Sequence, residues 1–285
     1  MKIKFYIVTY KRYLDLHRTL LSLFNTDIDE FDVEVFVVNN HSDFKMGAFE
    51  SKNGDARKIT VLHNTFRPDF SCGHLARNYN EILIHGFKHL DDNVCDIVVH
   101  SHDDNGFDEK LFSKLVSYHE KYDIVTSSQG CGLVSYVPNG VKRVGMWDER
   151  FCTIGYHEGD YFLRAIKYNS DRVSINDWQG ARRRWNEIEP LAFKLEGTNL
   201  NESHLRSQHY YPVCRELWVK KWGTKIIDTT WSDEALNEVI NDKKNEKYGP
   251  FIPQYMFYPY FEKSIDDVND KYYYGVSDLT GPKFF

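Results

Sequence analysis

The run Asp96-Ile97-Val98-Val99-His100-Ser101-His102-Asp103-Asp104 joins an apolar stretch to two histidines and two carboxylates. Ile97 to Val99 predict the buried end of a β-strand. The polar continuation would then stand at the carboxyl edge of the strand, where open α/β sheets bind ligands. A His/Asp set at that edge suits a divalent cation. A hard cation with open positions bridges protein carboxylates and phosphate oxygens, so the chemistry expected is the holding of a diphosphate. The competing reading is a polar turn, with Asp103 or Asp104 capping a helix from Phe107 to Tyr118.

Three further groups carry chemistry. Val37-Val38-Asn39-Asn40-His41-Ser42-Asp43 ends a second apolar run. Asn39 offers both a donor and an acceptor to a nucleobase, and the alternative is an Asx turn leaving the strand. Gly73-His74-Leu75-Ala76-Arg77-Asn78 opens a helix, where Arg77 would reach a phosphate or a base or else stand in solvent. In Gly155-Tyr156-His157-Glu158-Gly159-Asp160, two carboxylates begin a helix, where the dipole favours negative charge. One of them would accept a proton from a hydroxyl, as a general base must. The other would pair with Arg164, four residues beyond Asp160. Either His204 or His209 could supply one more metal ligand through neutral imidazole. Trp178 and Trp185 flank Arg182-Arg183-Arg184, which would clamp a diphosphate or stack on a sugar, or form a solvated basic loop.

These residues need a scaffold to bring them together. Ile3 to Val8 predict a first strand ending at Thr9-Tyr10, with Arg12 just beyond. Leu14, His17, Leu20, Leu21 and Phe24 recur at helical spacing. Val33 to Val38 and Ile59 to Leu62 predict strands, Tyr79 to Leu90 a helix, and Asp96 to Val99 a fourth strand. A β-α-β-β-α-β order implies a mostly parallel sheet flanked by helices. After it come a helix around Leu111 to Tyr118, a strand at Ile124 to Thr126, a hairpin within Gly130 to Val144, and a helix over Asp160 to Tyr168. Arg172 to Leu205 reads as a long polar loop. The last part, rich in tyrosine and proline, reads as an extension wrapping the domain.

The whole chain has 285 residues and a net charge of −6, which argues against nucleic acid as a partner. No apolar stretch approaches the ~20 residues of a membrane span. The first strand begins at Lys2, with no signal-peptide pattern before it. Five scattered cysteines, without a CxxC, read as reduced thiols of a cytoplasmic protein.

Taken in order, these pieces resemble the GT-A glycosyltransferases, most closely glycosyltransferase family 2. They are the first strand, the helix with Leu20-Leu21-Ser22-Leu23, Asn39-Asn40-His41-Ser42-Asp43, Ala76-Arg77-Asn78, His102-Asp103-Asp104, His157-Glu158-Gly159-Asp160 with Arg164, and Lys221-Trp222-Gly223. The resemblance spans roughly residues 2 to 225. It implies an α/β GT-A domain over residues 1–225, with a nucleotide half (1–102), an acceptor half (103–225) and an aromatic extension (226–285). It also implies a nucleotide-diphosphate sugar donor, uridine favoured, a glycan or glycoconjugate acceptor, Mn²⁺ or Mg²⁺, and inversion at the anomeric carbon. Asn39 falls where the family reads the nucleobase with aspartate. His102-Asp103-Asp104 falls on its metal motif, with Asp104 as the direct ligand and His102, His204 or His209 as helpers. Glu158 falls on its base, with Asp160 beside it. Thr9, Tyr10, Arg12, Asn39, Asn40, Arg77 and Asp103 are then expected at the donor, and Trp178 and Trp185 at the acceptor. Asn39, His102 and His157 stand where the family has carboxylates. Two alternatives are a catalytically inactive module that binds a nucleotide sugar or glycan, and a metal-dependent nucleotidyltransferase. The second expects a glycine-rich phosphate loop after the first strand, where this chain has Thr9-Tyr10-Lys11-Arg12-Tyr13.

Overall fold

The computed structural model describes residues 1–40, 49–50, 56–64, 75–151, 153–178, 183–198, 210–223 and 233–242. Its first half runs β1 (Lys2–Thr9), α1 (Tyr13–Phe24), β2 (Asp32–Asn39), β3 (Phe49–Glu50), β4 (Ala56–Arg57), β5 (Ile59–His63), α2 (Leu75–Phe87) and β6 (Ile97–His102). The second half follows with β7 (Asn105–Phe107), α3 (Leu111–Lys121), β8 (Ile124–Gln129), β9 (Leu133–Tyr136), α4 (Pro138–Val144), α5 (Tyr156–Asn169), β10 (Val173–Trp178), β11 (Arg183–Trp185), β12 (Ala192–Lys194), α6 (Tyr211–Trp222) and α7 (Asp233–Asn241).

Eight strands form one sheet in the order β11-β10-β8-β9-β6-β1-β2-β5. The pairs β1–β2, β1–β6, β2–β5 and β8–β10 are parallel, and only β6–β9, β8–β9 and β10–β11 are antiparallel. Strand alternation sorts the core onto two faces. Tyr6, Val8, Phe36, Val38 and Val98 pack with α2, α4 and α5. Ile3, Phe5, Ile7, Val35, Val37, Ile97 and Val99 pack with α1 and α3. Helix α2 lies close to β6 because Gly86 has no side chain, and a Cβ there would stand 2.4 Å from Val98.

The helix α1 presents a different face from the one its spacing suggests. Leu16, Leu20, Leu23 and Phe24 are buried, whereas Leu14 is 77% and Leu21 45% exposed. Both sets satisfy a period of 3.6 residues, and the apolar face of the sheet selects one. Helix α3 starts at Leu111, after the short β7, so neither Asp103 nor Asp104 caps it. Its cap comes from far away: Asp27, in the turn after α1, accepts the amides of Phe112 and Ser113, each at 2.9 Å. The expected hairpin within Gly130 to Val144 is instead β8 turning into β9, and Pro138-Asn139-Gly140 opens α4, with proline in its first turn. Helix α5 begins four residues before Asp160, and the polar stretch after Arg172 contains β10, β11 and β12. No described helix is long and apolar enough to cross a membrane.

Candidate functional site

The carboxyl ends of β1, β2 and β6 lie side by side in register: Thr9 is opposite Asn39, and Val8 opposite His102. Asp103 and Asp104 follow β6 directly. Thr9 Oγ1 donates to Asp103 Oδ2 at 2.7 Å. Arg12, just after β1, donates to Asp104 Oδ2 at 3.1 Å and stands 3.8 Å from Asp103. It is itself fixed by Asp15, one turn into α1. Lys194 comes in from the opposite side, 3.5 Å from Asp104, because β12 pairs with β7 and the amide of Leu195 donates to the Asp104 carbonyl. Burial pushes the Asp103 carboxyl up to about 7, with Arg12 and the Thr9 hydroxyl offsetting only part of that. Burial acts on Asp104 in the same sense, but there His102, Lys194 and Arg12 outweigh it and hold the carboxyl below its usual range. Two adjacent carboxyls thus sit in opposite charge environments beside two cations.

The end of β2 is stitched to β1. The Asn40 amide donates to the Thr9 carbonyl at 3.1 Å, and Asn39 Nδ2 meets His63 Nδ1 at 3.1 Å. Asn39 is fully buried. Asn40 Oδ1 is buried with no partner among the described residues, an acceptor aimed at this edge. Tyr10 lies beside Lys11, whose ammonium stands 5.1 Å from the ring centroid. Arg77 is in the first turn of α2, but it pairs with Glu149 at 2.8 Å, both side chains well exposed.

The second cluster lies beneath this edge. Glu158 is in the first turn of α5, 3% exposed. Its Oε1 accepts from the Cys131 amide at 3.3 Å and from the Cys131 thiol at 2.9 Å, while Oε2 is buried with no partner among the described residues. Gly130, at the β8–β9 turn, makes room for it: a Cβ there would lie 2.9 Å from Glu158 Oε1. Around the same thiol stand His157 Nε2 at 3.5 Å, His102 Nε2 at 3.7 Å and the Tyr79 hydroxyl at 3.3 Å, and Tyr79 also meets His102 at 2.7 Å. Burial, reinforced by Glu158, raises the Cys131 thiol well above its usual value. Burial lowers His102, though the charges of Asp104 and Glu158 pull the other way.

Asp160 points away from Glu158, as two positions on a helix require. It accepts from Arg164 Nε at 2.9 Å and Trp222 Nε1 at 2.9 Å, and pairs with Lys221 at 2.5 Å. Trp185 is on the outermost strand, its indole N–H donated to the Ser170 carbonyl at 2.8 Å. Four strand spacings separate β11 from β6, roughly 19 Å. His204, His209 and the side chain of Trp178 lie outside the described residues. Of the residues expected from the sequence, the structure gathers Thr9, Arg12, Asn39, Asn40, His102, Asp103, Asp104 and Glu158 around one edge. It sets Asp160, Arg77 and Trp185 apart. Lys194, Gly130, Cys131 and Tyr79 join the edge without a local sequence signal.

Asp103 and Asp104 provide hard oxygen donors, the set that suits Mg²⁺ or Mn²⁺. Such ions take one or two protein carboxylates and fill the other positions with water and substrate phosphate, so these residues fit one.

No protein-family model and no curated sequence matches the chain. Solved structures do. The mannosyltransferase PcManGT from Pyrobaculum calidifontis, solved in complex with GDP-Man and Mn²⁺, is 11% identical with a TM-score of 0.50, over 99% of this chain and 81% of that one. TarS 1–349 of S. aureus, solved in complex with UDP, is 12% identical with a TM-score of 0.46, over 86% of this chain and 71% of that one. In the longer TarS chain the match spans 43% of the length. At such identities the likeness is one of fold, and the fold is the mostly parallel α/β architecture of GT-A type that the sequence predicts.

Proposed function

We propose that this chain is an inverting glycosyltransferase, moving a sugar from a nucleoside diphosphate sugar to a hydroxyl of a glycan or glycoconjugate. The observation that carries this reading is the Glu158 carboxylate. It is locked through Oε1 to the Cys131 amide and thiol, and its buried Oε2 has no partner among the described residues. An anchored carboxylate with one oxygen left without a partner is what proton abstraction from an alcohol requires.

The nucleoside lies across the ends of β1 and β2. Asn40 Oδ1 accepts the imide hydrogen of uracil, so uridine is favoured and guanosine is second. Arg12 and Lys194 already converge on Asp104, and both turn to the diphosphate when it arrives. A Mn²⁺ or Mg²⁺ held by Asp104, when bound, neutralises charge on the leaving diphosphate. Asp103 stays with Thr9 and keeps the turn after β6 in place. Glu158 Oε2 takes the proton of the acceptor hydroxyl. The oxygen attacks the anomeric carbon from the face opposite the diphosphate, and the electron pair of the breaking C–O bond leaves on the diphosphate oxygen.

Glu158→Gln preserves shape but cannot take the proton. Transfer, followed as nucleoside diphosphate release in the presence of acceptor, should fall by at least ~10²-fold, the scale of losing a general base, while donor affinity by calorimetry stays unchanged. Equal turnover in the variant, or a wild-type chain that binds the donor and neither transfers nor hydrolyses it, defeats the proposal. The second outcome leaves an inactive sugar-nucleotide-binding module.

A further inference from the structure

The soft donors under the sheet edge form a set of their own. Among the described residues, Cys131, His157 and Glu158 are the one group of three or more His, Cys, Asp or Glu side chains whose ligating atoms all lie within 4.8 Å of one another. The geometry points to a second, distinct cation site: we propose that Cys131 Sγ, His157 Nε2 and a Glu158 oxygen bind a zinc ion, with water as the fourth ligand.

Four observations carry this. The first is spacing. Zn–S bonds of about 2.3 Å and Zn–N bonds of about 2.05 Å at tetrahedral angles place ligand atoms about 3.6 Å apart. Cys131 Sγ lies 3.5 Å from His157 Nε2. The Sγ to Glu158 Oε1 distance of 2.9 Å is shorter because a thiol hydrogen bond closes it, and this contact opens when the proton leaves. The second is orientation. His157 Nδ1 donates to the Thr153 carbonyl at 2.7 Å, which fixes the tautomer and leaves the lone pair on Nε2, facing the thiol. The third is the carboxylate oxygen Oε2 of Glu158, more than nine-tenths buried with no partner among the described residues. The fourth is donor type. Thiolate and imidazole select zinc over Mn²⁺ and Mg²⁺, whereas the Asp103–Asp104 pair selects the reverse, so the two sites sort their ions by softness.

Binding releases the thiol proton to water, and Cys131 ligates as thiolate. An ion seated here also occupies Glu158. Zinc is therefore an inhibitor of transfer, a consequence that rests on the role of Glu158 proposed above; binding itself does not.

The test is metal content after zinc loading and dialysis, on the full chain, with Co²⁺ as a spectroscopic probe. The wild type should retain one zinc per chain. Its Co²⁺ form should show thiolate-to-cobalt charge transfer and the intense visible bands of tetrahedral cobalt. Cys131→Ser and His157→Gln, each checked for folding by circular dichroism, should each weaken zinc by at least ~10²-fold, at or above the upper end seen for outer-shell changes. Asp104→Asn should keep full zinc. Zinc retained equally by Cys131→Ser, zinc lost from Asp104→Asn, or a cobalt form without a thiolate band overturns the site. A chain that binds zinc as described yet transfers no sugar supports this site and defeats only the transferase reading.

Discussion

Gly130 decides where the Glu158 carboxylate sits, for two separate reasons. Its φ of +61° lies in the left-handed region, and a Cβ would lie 2.9 Å from Glu158 Oε1. Gly130→Ala should therefore lower stability by about 1–2 kcal/mol through the backbone alone, visible as a lower Tm. It should also lower kcat with little change in donor affinity, because the carboxylate must shift while Arg12, Asp103 and Asp104 stand elsewhere. Steady-state kinetics beside donor titration separate the two effects. At this scale, legibility followed distance along the chain. Asp103 with Asp104, and Asp160 with Arg164, are set by one strand end and one helical turn, so spacing alone placed them. Cys131 meets Glu158 across 27 positions. Lys194 reaches Asp104 through a short antiparallel pairing that no pattern in its own segment announces. No pattern along the run separates Asn39 from Asn40: Asn39 meets His63, and Asn40 Oδ1 is buried with no partner among the described residues.

Among the elements, α5 carries two carboxylates with different employments. Glu158 faces the sheet edge, whereas Asp160 ties α5 to the end of α6 through Lys221 and Trp222 and to the next turn through Arg164. All four side chains are buried. Lys221 also pairs with Asp148 at 2.9 Å, so the network joins three segments. Asp160→Asn removes one charge from a buried network, a change of about 3–5 kcal/mol. Thermal melts should show that loss, with donor affinity retained; a stable Asp160→Asn protein without turnover would instead make Asp160 the base. The elements of the first half were readable because buried parallel strands are continuous apolar runs separated by helical stripes. Those of the second half were harder. The strands β11 and β12 have three residues each, too short to show a period. Pro138-Asn139-Gly140 has turn chemistry, yet proline in a first helical turn uses the same residue for the opposite purpose.

For the molecule as a whole, buried histidines set an acid limit, and His119 is the one whose contribution can be sized. His119 donates Nδ1–H to the Tyr122 carbonyl at 2.9 Å and faces the Ser135 hydroxyl with Nε2 at 2.9 Å, joining α3 to β9. Burial lowers it to about 4. In the unfolded chain it titrates near 6.5, so between about 6.5 and 4 the unfolded state binds the extra proton and stability falls as pH falls. The full contribution is about 3 kcal/mol, present above pH 6.5 and gone below pH 4. Denaturant titrations across this window should show the slope, and His119→Gln should make it shallower, leaving the share of the other buried histidines, His100 and His102; an unchanged slope would assign none of the acid sensitivity to His119.

The remote cap of α3 has a consequence for how parts of the molecule open. Lys110, at the start of that helix, supplies no side-chain cap, and the amides of Phe112 and Ser113 are held by Asp27 instead. The first turn of α3 and the turn after α1 thus form one cooperative unit, although some 85 residues of chain lie between them. Neither can fray alone. Solvent exchange at Phe112 and Ser113 is a clock for the opening of the turn after α1, and two segments far apart in the chain keep the same time.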